Sequence, residues 1–153
     1  DLNVRAPWVL INFFQDMLIA GQGCVVNMSC MKGSKPQPGL IGYCMAKAGL
    51  ESVTKSAALE LARFGVRVNA VSSSFLNTNL YRTAGVTDLD YQSINQKECD
   101  TNPMGRMCGV EEVCRAVVHL TSQHSRMMTG QILHVDGGKH NTVRGQQSWY
   151  GMK

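Results

Sequence analysis

The sequence has no apolar run of bilayer-spanning length. Its best stretch, near residues 7–20, is interrupted by Gln15 and Asp16 and then by the Gly21–Gly23 turn, which excludes a helical membrane span there. Charge is sparse, 17 % of 153 residues with a net of +4, and the Lys and Arg residues are scattered, so nothing marks a nucleic-acid surface. None of the six cysteines (24, 30, 44, 99, 108 and 114) forms a Cys-x-x-Cys pair, and no histidine stands at zinc-finger spacing from two of them. No metal centre is expected from that pattern. Free thiols instead predict an intracellular, reducing compartment, cytoplasmic or mitochondrial. No basic segment precedes an apolar stretch at the N-terminus, so a signal peptide is not expected. The sequence opens at Asp1 instead of Met, with its first 20 residues already reading as helix. That suggests a chain entered partway through. No internal repeat is visible. The glycosylation-like tripeptide Asn27-Met28-Ser29 falls inside an apolar, strand-like run and is discounted.

What is present is alternation. Val9, Leu10, Phe13, Phe14, Met17 and Leu18 follow helical spacing and predict a helix over 7–20, stopped by Gly21 and Gly23. "CVVNMS" (24–29) has the length and apolarity of a strand, and a Gly-, Pro- and Ser-rich loop follows through Gly39. Ala46, Leu50, Val53, Ala57 and Leu61 mark a long amphipathic helix over 43–64. Gly65 ends it, and "VRVNAVS" (66–72) reads as a second strand. Residues 73–105 show no long periodic segment and predict a long functional excursion. Val113, Ala116, Val117 and Leu120 mark a further helix from about Val110, and "QILHVDGG" (131–138) gives a third strand closed by a turn. Strands alternating with helices predict an α/β fold with a parallel sheet and helices on both faces. Residues 1–138 form the expected domain and 139–153 a C-terminal tail, of the kind that is usually disordered, with docking on a neighbour through Trp149 and Tyr150 as the alternative.

Within helix 43–64, Tyr43 and Lys47 lie one turn apart on one face. Such a pair alone is common. Here it sits inside "YCMAKAGLESVTKSAALELA", followed directly by "GVRVNAV" and later by "TGQILHVDGG". These three pieces, in this order and spacing, resemble the short-chain dehydrogenase/reductase family, and its 3-oxoacyl-carrier-protein-reductase-like group in particular. The resemblance runs from "DLNVRAP" to "VDGGKH" and covers about the last three-fifths of a typical member. It implies the C-terminal part of a Rossmann-type doubly wound parallel sheet, carrying its fifth to seventh strands, and an NAD- or NADP-dependent oxidoreductase acting on a carbonyl or alcohol substrate. It implies that Tyr43 transfers the proton, that Lys47 lowers its pKa and contacts the nicotinamide ribose, and that Asn3 completes a proton relay. A free phenol titrates near 10, so acid/base work near neutrality calls for such a cation.

Three positions depart from the family pattern. Its catalytic serine lies thirteen residues before the tyrosine, and that count lands on Cys30; the neighbouring Ser29 would serve only if the strand end twists. A thiol is the weaker donor, and the exchange is expected to cost about 1.5–3 kcal/mol, roughly ten- to a hundredfold in rate. The family's Asn-Pro-Gly under the nicotinamide is Ser72-Ser73-Ser74 here, although Thr78, which matches the threonine that reaches the nicotinamide amide, is present. Ser73, Ser74, Thr78, Tyr43 and Lys47 are thus the cofactor-facing candidates. Finally, no TGxxxGxG turn occurs; Gly21-Gln22-Gly23 precedes a strand instead of following one, so the pyrophosphate cradle is lacking.

The resemblance therefore predicts that an N-terminal Rossmann half, from this polypeptide or another subunit, pairs with the exposed edge at "CVVNMS", and that helices 7–20 and 43–64 mediate homo- or hetero-oligomers. Residues 77–104, with Leu80, Tyr81, Leu89 and Tyr91, correspond to the family's substrate lid. A second reading is a catalytically degenerate member serving as a structural subunit of a larger assembly.

Overall fold

The computed structural model describes residues 1–142; the tail with Trp149 and Tyr150 lies outside the described residues. Three parallel strands form one sheet in the order β1 (Cys24–Cys30), β2 (Arg67–Ser73) and β3 (Ile132–Val135). β2 is central, and all its residues after Arg67 are buried. Its apolar positions face two ways, as alternation in a strand requires. Val68 joins Ile11, Ala58, Leu61 and Val66 on one face, whereas Val71 joins Cys108, Val113 and Leu120 on the other. The first layer is supplied by α1 (Arg5–Phe13) and α3 (Ile41–Leu61), the second by α6 (Val110–Thr121). Helices on both faces of a parallel sheet are the doubly wound arrangement that the alternation of elements predicts.

Each strand is close to its expected bounds, as is the long helix, which continues as a 3₁₀ turn through Phe64 before Gly65 reverses the chain at φ +77°. Two expectations are corrected. The helix expected over 7–20 begins at Arg5 and is two segments, α1 and α2 (Gln15–Ala20), joined at Phe14, whose ψ of 6° leaves the helical region. Pro7 is tolerated as the third helical residue because the first N–H groups have no intrahelical acceptor. Second, the stretch 73–105 contains α4 (Leu80–Thr83) and a 13-residue helix, α5 (Asp88–Asp100). α5 buries no residue, so it has no apolar stripe to betray it. Its sequence signal is the Thr87 cap: the Thr87 hydroxyl accepts from Asp90 N at 3.2 Å and donates to the Asp90 carboxylate at 2.7 Å.

The described sheet has two open edges. They are β1 and β3, and on β1 Met28 is 44 % exposed.

Candidate active site

In a parallel sheet of this kind the crevice lies beyond the carboxyl ends of the strands. There Cys30 and Ser73, the last residues of β1 and β2, are register partners. The first turn of α3 carries Tyr43 over them. Cys30, Tyr43, Ser73, Ser74 and Thr78 all line one cleft of about 410 Å³. The far wall is aromatic: Phe75 stacks on Tyr81 at 4.0 Å, Tyr91 lies 6.1 Å from Phe75, and the Tyr91 hydroxyl donates to Asn77 Oδ1 at 2.7 Å. Tyr81 and Tyr91 belong to the expected lid; Phe75, just after the serine run, carried no sequence signal for a role there.

Tyr43 is half-buried, and its pKa is held well above the ordinary phenol value. Burial is the main cause, followed by repulsion from and hydrogen bonding with Cys30, then Tyr81 and Cys44. Tyr81 is pushed up to about 12, again chiefly by burial and then by Cys30. Both phenols are therefore neutral, proton-bearing groups at physiological pH.

Lys47 does not reach the cleft lining. Its side chain is buried behind Tyr43, with Nζ 5.7 Å from the ring centroid and donating to the Met28 carbonyl at 2.8 Å. Burial lowers its pKa, with Cys30 opposing. Lys47 thus stands next to the phenol but is turned towards the backbone of the edge strand. Asn3 lies in the turn before α1, outside the cleft; the adjacent Val4 fills the space beside Gly49, where a Cβ would come within 2.9 Å of Val4 Cγ2. Ser29 also lines the cleft, but its hydroxyl is buried and already donates to Glu51 Oε1 at 2.8 Å.

One cluster lay outside the expected site. His134, Asp136 and His140 bring potential ligand atoms within 4.8 Å of one another. The two imidazoles stack at 4.0 Å with planes 13° apart, so their in-plane lone pairs do not converge on one point. Both Asp136 oxygens already accept hydrogen bonds, from Gly138 N and from His140 N and Nδ1. The group acts as a clasp for the turn after β3. Asn102 closes that turn from the lid side, donating to the Asp136 carbonyl at 3.1 Å.

Residues 1–140 match the family described as enoyl-(acyl carrier protein) reductase. A 3-oxoacyl-[acyl-carrier-protein] reductase of Rickettsia typhi is 35 % identical over 139 residues, 90 % of this chain and 55 % of that protein. The chain belongs to the short-chain dehydrogenase/reductase family. A short-chain dehydrogenase/reductase of unknown function from Caenorhabditis elegans, solved with cofactor, superposes with a TM-score of 0.89 at 28 % identity, over 96 % of this chain and 56 % of that one. A 3-oxoacyl-[acyl-carrier protein] reductase from Brucella melitensis, solved with bound NAD, gives 0.78 at 26 % identity over 90 % and 49 %. The chain spans about half the length of the curated relatives it matches.

The cleft at the ends of β1 and β2 carries the hydroxyl-bearing side chains of Tyr43, Ser73, Ser74 and Thr78 among apolar walls. Among the described residues no TGxxxGxG turn follows a strand and opens a helix, so the family's pyrophosphate cradle is not among them.

Proposed function

We propose that this chain is the catalytic, C-terminal part of an NAD(P)-dependent oxidoreductase that reduces a carbonyl or oxidises an alcohol. The observation that carries the reading is the convergence of Tyr43 and Cys30 at one end of an open cleft, with Lys47 directly behind the phenol ring. The dinucleotide, when bound, supplies or accepts the hydride. In the reductive direction the neutral Tyr43 hydroxyl donates a proton to the carbonyl oxygen as negative charge develops there. The Cys30 thiol donates the second, weaker hydrogen bond to the same oxygen. Lys47 then stabilises the phenolate left on Tyr43, at the fixed spacing that one helical turn imposes. Ser73, Ser74 and Thr78 line the cofactor side of the cleft, and Phe75 with Tyr81 excludes water from the substrate side. Asn3 would enter the proton relay only after a shift of the segment before α1.

The glycine-rich half would pair along β1, where Met28 is open to solvent, supplied by this polypeptide or by another subunit. A second reading, a structural subunit without catalysis, is favoured by one specific feature: Lys47 is committed to the Met28 carbonyl, and Tyr43 is held above, not below, its ordinary pKa. Native mass spectrometry of the protein from its own source separates the two. The enzyme reading expects an N-terminal Rossmann half and a bound nicotinamide nucleotide, with Tyr43→Phe lowering NAD(P)H-dependent turnover by about a hundredfold or more. A nucleotide-free complex with unrelated subunits would instead establish the structural role.

A further inference from the structure

Four of the chain's seven lysines meet at one cavity. Lys32 and Lys35 come from the loop after β1, Lys97 from α5, and Lys139 from the turn after β3. The cavity is about 500 Å³, and its only acid among the described lining residues is Glu98. No arginine is among its described lining residues. It adjoins the active-site cleft directly: Lys32, Gln37, Pro38, Ile94 and Glu98 form walls of both.

The individual lysines have different duties. Lys139 is buried and paired with Glu98, which accounts for the one negative charge. Lys35 donates to the Lys139 carbonyl at 2.9 Å and to the carbonyl and hydroxyl of Thr142, so it locks the loop to the turn and adds its charge from the wall. Lys32 and Lys97 are the ammonium groups left to bind something. Bringing four like charges together from three separate segments is unfavourable unless an anion joins them. In line with this, Lys35 is held below its ordinary pKa, first by burial and then by the Lys139 and Lys32 charges.

We propose that this cavity is a phosphate subsite for the substrate, so that the reductase acts on a phosphate-bearing carbonyl or alcohol whose reacting end lies at Tyr43 and Cys30. Clustered ammonium groups act as point charges and favour the anion of higher charge, and a phosphate group carries close to two negative charges near neutral pH where a carboxylate carries one. The anion is assigned as the tail of the substrate, because the cavity shares five lining residues with the cleft where Tyr43 stands. The substrate class rests on the oxidoreductase reading above; the subsite itself does not.

The test therefore begins without turnover. The full chain is titrated with inorganic phosphate, acetate, dihydroxyacetone and dihydroxyacetone phosphate, followed by calorimetry and by the NMR signals of the Tyr43 ring. Phosphate should bind at least tenfold more tightly than acetate. The phosphorylated ketone should exceed both phosphate and the unphosphorylated ketone by a similar factor and should shift the Tyr43 ring. Lys32→Ala and Lys97→Ala should each weaken phosphate three- to tenfold, with Lys55→Ala, on the exposed side of α3, as the neutral control. Equal binding of phosphate and acetate, or an equal loss in Lys55→Ala, overturns the subsite as general surface charge. Phosphate binding as tight as that of the phosphorylated ketone, with the Tyr43 ring unmoved, overturns the substrate-tail assignment in favour of a free-phosphate site. None of these results depends on Tyr43→Phe turnover, so failure of the subsite and failure of the oxidoreductase reading are told apart.

Discussion

At the scale of single residues, Cys30 and Tyr43 set the chemistry against each other. A thiol beside a half-buried phenol adds repulsion to the phenolate without the strong hydrogen bond a hydroxyl would give. In the assembled enzyme, Cys30→Ser should raise kcat by roughly ten- to a hundredfold, equivalent to about 1.5–3 kcal/mol of oxyanion stabilisation. Steady-state kinetics checks it, and an unchanged rate would mean the thiol is not facing the reacting oxygen. The same pair predicts a pH dependence of folding. An acid whose folded-state pKa is raised keeps its proton after the unfolded chain has lost it, so its contribution is fully present below the ordinary phenol value near 10 and is lost as pH rises above it. Tyr43 and Tyr81 are both raised, Tyr81 to about 12. Denaturant midpoints should therefore fall between about pH 10 and 12, and the fall should be shallower in Tyr43→Phe and Tyr81→Phe.

At the scale of elements, α5 rests on the molecule through half-buried side chains such as Tyr91, Ile94 and Glu98 and has no fully buried one. No residue of α5 is buried, and its N-terminus depends on the reciprocal Thr87–Asp90 bonds. Thr87→Ala should cost the helix about 0.5–2 kcal/mol. Hydrogen exchange should show this as faster local opening of 88–100, with the global unfolding midpoint little changed. The turn after β3 behaves oppositely. Gly137 has φ +65°, and a Cβ there would lie 2.3 Å from Asn102 Oδ1. Gly137→Ala should destabilise by more than the roughly 1–2 kcal/mol that a left-handed conformation costs a non-glycine residue, because it also expels Asn102. These elements show what a sequence can disclose. β2 and α3 were legible because each has an apolar pattern enforced by burial, and β1 because a short apolar run is bounded by turn residues, although its buried positions are Asn27 and Ser29. The Cys30–Tyr43 meeting was legible because a strand end and a helix start are fixed by register and count. α5 escaped because a solvated helix has no periodicity, and the break at Phe14 because neither proline nor glycine marks it. Lys47 could be placed beside Tyr43 by its spacing, but its commitment to the Met28 carbonyl depends on packing between elements. The lysine cavity had no sequence signature at all, since its four charges come from three separated regions of the chain.

For the molecule as a whole, the helical layer over α1 and α3 bounds its behaviour in solution. Trp8, Phe13 and Met17 are 57 %, 77 % and 72 % exposed on α1 and α2, and Leu59 is 83 % exposed on α3. Single exposed apolar residues need no explanation, but large ones on two adjacent helices expose a surface that association would bury. If this layer is the oligomer face, burying one such side chain contributes about 1.5–3 kcal/mol, so Phe13→Glu combined with Leu59→Glu should weaken self-association by at least about tenfold to a hundredfold. Both side chains are exposed, so circular dichroism should report an unchanged fold while sedimentation velocity shows the shift towards monomer. If the variant sediments like the parent, the association runs through another surface, and the open edge of β1 becomes the next to block. Met28→Pro would do so, since proline cannot donate a strand hydrogen bond.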